Sequence, residues 1–132
     1  MQVVVIDDNP IDLERFSQAL ANQHDADVLA LISLSDNVER IAKHGPEMVV
    51  LDDRLGPILA AEDSLKTIAQ NFPGLPVVIM SGDVRPGRRA DLIRRGALEC
   101  VEKDEVDTAT WELLVAMAAQ TNAVLKRPID PQ

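Results

Sequence analysis

Five short apolar runs alternate along the chain with stretches of helical periodicity. Most of the runs are rich in valine, isoleucine and leucine, and they cover 3–6, 28–32, 48–51, 76–80 and 98–102. Runs without polar alternation are typical of strands buried on both faces, and parallel strands need crossovers between them. The alternation therefore predicts an α/β fold, with a doubly wound five-stranded parallel sheet and five helices in three layers.

Cap residues mark the ends of the predicted helices. Asn9 followed by a proline predicts the start of the first helix, and Gly96 predicts the end of a helix over 88–95. Further helices are predicted around 36–44, 59–71 and 110–126. The length of 132 residues and the hydrophobic fraction of 46% suit one packed core. We therefore predict one domain over 1–126 and a C-terminal tail over 127–132.

Composition argues against several classes of protein. A formal net charge of −9 disfavours direct nucleic acid binding, which needs a basic face. No apolar run approaches the roughly 20 residues of a membrane span, and the start of the chain lacks the basic segment of a signal peptide. The single cysteine, Cys100, excludes an internal disulfide and fits a reducing compartment. We expect a cytoplasmic protein without membrane contact.

Polar residues stand where the predicted strands end. They are Asp7 and Asp8 after the first run, Asp52 after the third, Ser81 after the fourth and Lys103 after the fifth. The carboxyl ends of parallel strands meet at one edge of a doubly wound sheet, where sites form at the reversal of strand order. We therefore expect these side chains to share one site.

The chemistry of this set points to phosphoryl transfer. Clustered carboxylates repel unless a cation lies between them, and oxygen ligands without histidine or cysteine favour Mg²⁺. A carboxylate nucleophile, a hydroxyl and a lysine can surround a phosphoryl group together with the ion. Taken alone, the pair of Asp7 and Asp8 is more typical of a turn and helix cap. The other strand-end residues favour the metal site.

Four sequence blocks carry these residues in order. They are Val-Ile-Asp7-Asp8-Asn-Pro, Pro46-Glu-Met-Val-Val-Leu-Asp52-Asp-Arg-Leu, Pro-Val-Val-Ile-Met-Ser81-Gly and Arg-Gly96-Ala with Lys103-Asp. Together they resemble the receiver domains of response regulators, the CheY-like modules of two-component and phosphorelay signalling. The resemblance covers nearly the whole chain and implies a flavodoxin-like receiver fold.

The resemblance also implies a role for each matching residue. Asp52 is the implied phosphoacceptor, and Ser81 and Lys103 are implied to bind phosphate oxygens. The implied Mg²⁺ ligands are Asp7, Asp8, Asp52 and the backbone carbonyl of Arg54. The implied donor is a phosphohistidine on a sensor histidine kinase or histidine phosphotransfer protein. The receiver itself would catalyse the transfer and a slow autodephosphorylation.

The chain departs from the family pattern at three places, one of which is Asp104 after the lysine, where receivers often carry a proline. Receivers usually carry an aromatic residue shortly before the lysine, where its rotation reports phosphorylation, but Cys100 stands there. The loop after the acceptor contains an apolar stretch over 58–61. We interpret this stretch as a contact for the kinase or phosphotransferase, and a covered core segment is the alternative.

Three residues near the acceptor and near Ser81 carry further hypotheses. Strand alternation turns Asp53 away from the side of Asp52, so we expect a surface or cap residue. Arg54 and Asp83 stand two residues beyond Asp52 and Ser81, where they would flank an attacking water. The hypothesis is that Arg54 and Asp83 pair over the site and slow the loss of the phosphoryl group.

The expected function is a signalling module rather than an enzyme, with phosphorylation of Asp52 switching protein–protein contacts. A downstream target or self-association would use the 85–126 face, which combines five arginines with an apolar last helix. A solvated helix face and plain core packing are the alternatives there. The competing functions are a phosphorylation-independent adaptor of receiver fold and the excised receiver of a longer regulator. A phosphatase of the haloacid dehalogenase type is disfavoured, because Arg54 replaces its second aspartate.

Overall fold

The computed structural model describes residues 1–125, apart from the side chain of Gln23. Its strands are β1 Gln2–Ile6, β2 Asp27–Leu31, β3 Met48–Asp52, β4 Arg54–Leu55, β5 Leu59–Ala60, β6 Val77–Ser81 and β7 Glu99–Glu102. Five of them form one parallel sheet in the order β2-β1-β3-β6-β7. This confirms the predicted five-stranded sheet. The small antiparallel hairpin of β4 and β5 was not predicted.

Five α-helices connect the strands in the described range. They are α1 Pro10–His24, α2 Val38–His44, α3 Ala61–Asn71, α4 Arg88–Arg94 and α5 Thr108–Leu125. A turn of 3-10 helix over Ser35–Asn37 precedes α2, so this helix begins later than its predicted cap. Within residues 1–125, none of the helices has both the length and the apolar character needed to cross a membrane. The tail predicted over 127–132 lies outside the described residues.

Two apolar cores cover the two faces of the sheet. Successive strand residues alternate between them, so that Val4 lies in one core and Val5 in the other. Side chains of α2, α3 and α4 complete the first core, and α1 and α5 cover the second. In the second core Phe16 packs edge-on against Trp111, with ring centroids 5.8 Å apart. The arrangement is therefore three layers, with the sheet in the middle.

Strand order locates the edge at which a site can form. β1 lies inside the sheet, with β2 on one side and β3 on the other. The connections that leave β1 and β3 therefore run in opposite directions and open a crevice at the carboxyl ends of these strands. Asp7 and Asp8 follow β1, and Asp52 is the last residue of β3.

The turn between β1 and α1 is fixed as the sequence predicts. The side chain of Asn9 caps α1 by accepting hydrogen bonds from the amides of Ile11 and Asp12, and Pro10 follows it. This cap satisfies two amides that the first helical turn would leave unpaired. As a result, α1 begins at the edge formed by the carboxyl ends of the strands, with Asp12 in its first turn.

Gly96, just beyond the end of α4, has a φ of +112°, which residues with a Cβ rarely adopt. We predict that Gly96→Ala lowers the free energy of unfolding by about 1–3 kcal/mol. Gly82→Ala is the matched control, because a Cβ at either glycine meets no atom within 4 Å but only Gly96 has a positive φ. Urea unfolding measures both variants. Equal losses for the two would contradict the prediction.

Candidate functional site

Three carboxylates meet at the edge that strand order selects. Oxygen atoms of Asp7, Asp8 and Asp52 all lie within 4.8 Å of one another. Asp7 is only 1% exposed and Asp52 is 9% exposed, whereas Asp8 faces solvent. The structure therefore brings together the acidic residues that the sequence predicted, with one side of the cluster open.

Lys103 joins this cluster from the end of β7. Its Nζ lies 2.9 Å from Asp7 Oδ2, 2.9 Å from Asp12 Oδ2 and 3.2 Å from Asp52 Oδ1. Three carboxylates thus share one ammonium group. Arg15 fixes the same segment, because its guanidinium donates to the backbone carbonyl of Lys103 at 3.0 Å.

Burial and charge shift the pKa values of this cluster. Burial, followed by repulsion from Asp7, raises the pKa of Asp52 from 3.8 to about 7, although Lys103 opposes the change. Burial alone would lower the pKa of Lys103, but its contacts with Asp7, Asp12 and Asp52 outweigh this and raise that pKa above its ordinary value. The lysine therefore stays charged, and Asp52 is held in a site that resists a further negative charge.

Backbone amides fix the orientation of the two aspartates after β1. Asp7 Oδ1 accepts a hydrogen bond from the amide of Asn9 at 2.9 Å. Asp8 Oδ2 accepts one from the amide of Gly56 at 2.9 Å, in the hairpin loop between β4 and β5. The hairpin, which was not predicted, thus connects the segment after Asp52 to the acidic cluster.

Ser81 lies at the same edge, but its hydroxyl contacts Asp53 rather than Asp52. Ser81 Oγ is 3.0 Å from Asp53 Oδ2 and 3.1 Å from the backbone oxygen of Asp83. The expectation that Asp53 is a surface or cap residue is therefore wrong. Alternation does turn Asp53 away from Asp52, but on that side it meets Ser81, its neighbour in the adjacent strand.

Arg88 connects Asp53 to two helices. This first residue of α4 places one guanidinium nitrogen 2.5 Å from Asp53 Oδ1 and the other 2.8 Å from Glu62 Oε1, in the first turn of α3. The hydrogen bond to Asp53, partly opposed by burial, raises the pKa of Arg88 further. Asp53, Arg88 and Glu62 thus form a polar link from the sheet edge to both helices.

An open cavity of about 530 Å³ lies beside Asp52, and its lining also includes Ser81, Arg54 and Asp83. Arg54 and Asp83 share this cavity, but they form no ion pair in the described part of the chain. The hypothesis that they pair over the site is therefore not supported by the structure. In the apolar stretch over 58–61, Ile58 is 89% exposed while Ala61 is buried, so only part of the stretch is accessible for the predicted contact.

Cys100 is a core residue. It lies in β7 beside Ile79 and packs in the same core as Leu92 of α4. Burial, followed by the nearby charge of Asp53, raises the pKa of Cys100 to about 11, so this side chain is a neutral thiol. The position at which receivers usually carry a moving aromatic ring is filled here by a small buried group.

Five arginines lie in the segment 85–95, here called the basic run, and four of them form ion pairs within the chain. Besides Arg88, the pairs are Arg89 with Glu99, and Arg94 and Arg95 with Asp91. Exposed ion pairs of this kind contribute little to stability, but they neutralise the charge of the run. The structure therefore favours a solvated helix face over a free basic dock at α4.

Comparison with known proteins identifies the family. The sequence pattern described as "Response regulator receiver domain" matches residues 3–126. The chain belongs to the response regulator receiver family. It is accordingly a signalling module of two-component systems by family, and such receivers interact with kinases or phosphotransfer proteins. No curated protein sequence matches the chain.

Solved receiver structures share its fold. A receiver from Clostridium thermocellum has a TM-score of 0.80 at 22% identity, covering 94% of this chain and 98% of its own. The receiver of NtrX from Brucella abortus has a TM-score of 0.77 at 26% identity, covering 90% and 98%. The beryllofluoride-activated NtrC4 receiver domain dimer has a TM-score of 0.78 at 19% identity, covering 91% and 98%. The receiver fold is thus shared over nearly the full length of these chains.

Asp12, Asp53 and Arg88 are the site residues that sequence reasoning missed. Asp12 looks like an ordinary acidic residue in the first turn of a helix, where the helix dipole stabilises a negative charge. Alternation in β3 indicates the side on which Asp53 lies, but only the register of β3 with β6 places Asp53 beside Ser81. Arg88 carries no such signal, since its contact depends on how α4 packs.

Removal of the Asp52 charge should stabilise the protein when no divalent cation is present. The pKa of Asp52 is about 7 in the folded chain against an ordinary 3.8, so the ionised group costs stability as pH rises through this window. We predict that Asp52→Asn raises the free energy of unfolding at pH 8 by on the order of 2 kcal/mol. The gain should disappear toward pH 4.

Thermal unfolding with EDTA across this pH range measures the effect. Asp104→Asn, at an exposed carboxylate next to Lys103, is the matched control and should have little effect. A gain from Asp52→Asn that does not depend on pH would contradict the electrostatic explanation.

Proposed function

We propose that this receiver is a phosphorylation-switched signalling module whose phosphoacceptor is Asp52. The observation that carries the proposal is the 3.2 Å contact between Lys103 Nζ and Asp52 Oδ1, next to two further carboxylates within 4.8 Å. The carboxylate supplies a nucleophile, and the ammonium offsets the charge of phosphoryl oxygens. Ser81 supplies a hydroxyl at the same edge for a further phosphoryl oxygen.

The acidic cluster fits a bound Mg²⁺ ion. Each side-chain donor is a carboxylate oxygen, and one ammonium does not balance the charge of three carboxylates at this distance. Asp7, Asp8 and Asp52 would hold the ion with the backbone carbonyl of Arg54. When bound, the ion would neutralise charge on the phosphoryl oxygens and on the carboxylates around them.

The transfer requires one bond to form and one to break. An oxygen of the Asp52 carboxylate attacks the phosphorus of a phosphohistidine, and the bond from phosphorus to the imidazole nitrogen breaks. The electron pair of that bond stays on the ring nitrogen, and Asp52 becomes an acyl phosphate. Lys103 and Ser81 stabilise the phosphoryl oxygens, and a slow attack of water on phosphorus later releases inorganic phosphate and restores the carboxylate.

The partners follow from this chemistry. A sensor histidine kinase or a histidine phosphotransfer protein supplies the phosphoryl group in the cytoplasm, and the output is a protein contact through the 85–126 face, without direct nucleic acid binding. Leu113 and Val124 of α5 are 61% and 62% exposed, which supports a contact surface there. A solved receiver of this fold is described as an activated dimer, which supports self-association as one form of output.

A phosphorylation-independent adaptor is the second candidate function. Two observations favour it, namely the hydroxyl of Ser81 held by Asp53 and the buried Cys100 in place of a moving aromatic ring. We rank this candidate below the phosphorylated switch, because the chain retains the acidic cluster and Lys103. In either case the chain can act alone or as the receiver of a longer regulator.

Incubation with acetyl phosphate and Mg²⁺, followed by intact mass measurement, tests the proposed acceptor. We expect one phosphoryl adduct that is stable in acid and labile in base, and Asp52→Asn should abolish it. Asp53→Asn is the matched control, because it alters the adjacent carboxylate and should retain the adduct. A protein that gains no adduct would favour the adaptor, and rapid repeated consumption of the donor would indicate a phosphatase.

Mg²⁺ binding has a readout that does not depend on phosphorylation. At ten times the dissociation constant, a bound ion should raise the free energy of unfolding by about 1.4 kcal/mol. We expect Mg²⁺ to raise the melting temperature of the wild type and to have little effect on Asp8→Asn, which lacks the exposed ligand. Asp104→Asn should respond as the wild type does. An undiminished response of Asp8→Asn would argue against a site at this edge.

A further inference from the structure

Asp53 uses both of its carboxylate oxygens within the site. Oδ2 accepts the hydroxyl of Ser81 at 3.0 Å, and Oδ1 binds the guanidinium of Arg88. The side chain is only 20% exposed, so these contacts are partly shielded from water. One carboxylate therefore joins the end of β6 to the first residue of α4.

The backbone holds Asp53 in this position. Asp52 is paired with Met80 in the sheet register, and the amide of Asp53 donates to the carbonyl of Met80 at 2.8 Å. The ladder between β3 and β6 thus continues past the acceptor and places Asp53 beside Ser81. On the same face the preceding residues Leu51 and Ile79 lie in one core, which fixes the direction of both side chains.

A serine hydroxyl has one proton and can donate it to one acceptor at a time. At rest, a charged carboxylate within 3.0 Å provides the stronger of the two acceptors that Ser81 contacts, the other being the carbonyl of Asp83. A phosphoryl group on Asp52 would need the same proton. Asp53 and the phosphoryl group therefore compete for Ser81.

We propose that Asp53 is a positioning residue that holds Ser81 in its resting place, and that transfer of Ser81 to the phosphoryl group frees Asp53 Oδ2 and so changes the Asp53–Arg88–Glu62 link to α4 and α3. The inference rests on the proposed phosphorylation of Asp52. It adds a competitor for the hydroxyl and a polar route by which the change reaches α4. Asp53 acts through Ser81 and does not touch the phosphoryl group.

A double-mutant cycle of Asp53→Asn and Ser81→Ala tests the competition. The measured quantity is the initial rate of phosphorylation by acetyl phosphate at saturating Mg²⁺, read by intact mass. Because a neutral amide is a weaker acceptor than a carboxylate, Asp53→Asn should raise this rate roughly threefold to tenfold when Ser81 is present. In the Ser81→Ala background it should have no effect, since the group it holds is gone.

Asp91→Asn is the matched control, because it removes a carboxylate that pairs with arginines on α4 but lies away from Ser81. We expect its rate to equal that of the wild type. Amide resonances of residues 88–94 give a second readout. In unphosphorylated Asp53→Asn they should already be displaced toward their positions in the phosphorylated wild type.

The outcomes separate the inference from the proposed function. Equal acceleration in both Ser81 backgrounds would show that Asp53 only repels the donor, and no acceleration would show that it does not hold Ser81. Either result overturns the inference while the phosphorylation of Asp52 stands. A wild type that gains no phosphoryl group at all overturns the proposed function, and the inference with it.

Discussion

The single positive charge of Lys103 holds the acidic edge of the sheet together. Its ammonium contacts carboxylates from three parts of the chain, after β1, in the first turn of α1 and at the end of β3. Without it, the buried Asp7 and Asp52 would repel each other where water screens poorly. The edge still carries more negative than positive charge, which favours a divalent cation and opposes a phosphoryl group until such a cation is bound.

The same excess of carboxylates restrains the groups that would bind phosphate. Asp12 shares Lys103 with Asp52, and Asp53 accepts a hydrogen bond from the hydroxyl of Ser81. Each contact stabilises the resting site, because a buried donor without a partner would cost free energy. Under the proposed phosphorylation of Asp52, each contact would also have to weaken or exchange. These two aspartates therefore stabilise the resting state through contacts that would oppose phosphoryl transfer.

The sequence predicts the fold and the acidic cluster better than the contacts around them. Uniformly apolar runs specify buried parallel strands, and the reversal of strand order then brings Asp7, Asp8, Asp52 and Lys103 to one edge. Alternation within β3 predicts that Asp53 turns away from Asp52, but only the register with β6 reveals Ser81 on that side. The contact of Arg88 could not be predicted, because it depends on how α4 packs. The hairpin whose Gly56 amide binds Asp8 could not be predicted either, because its strands are too short to show a periodic pattern in the sequence.

The route by which phosphorylation could reach the surface follows from what surrounds Cys100. Cys100 is 4% exposed, and its side chain packs in the same core as Leu92 of α4. The side chain is therefore too small and too buried to alternate between core and solvent as an aromatic ring does. Cys100 therefore cannot report phosphorylation in the way that a rotating aromatic ring does. Arg88 differs, because a charged link with well-defined partners has two distinct arrangements when one partner changes. Under the proposal that Asp53 holds Ser81, the polar link through Asp53 would take the place of a moving ring as the connection from Asp52 to α4.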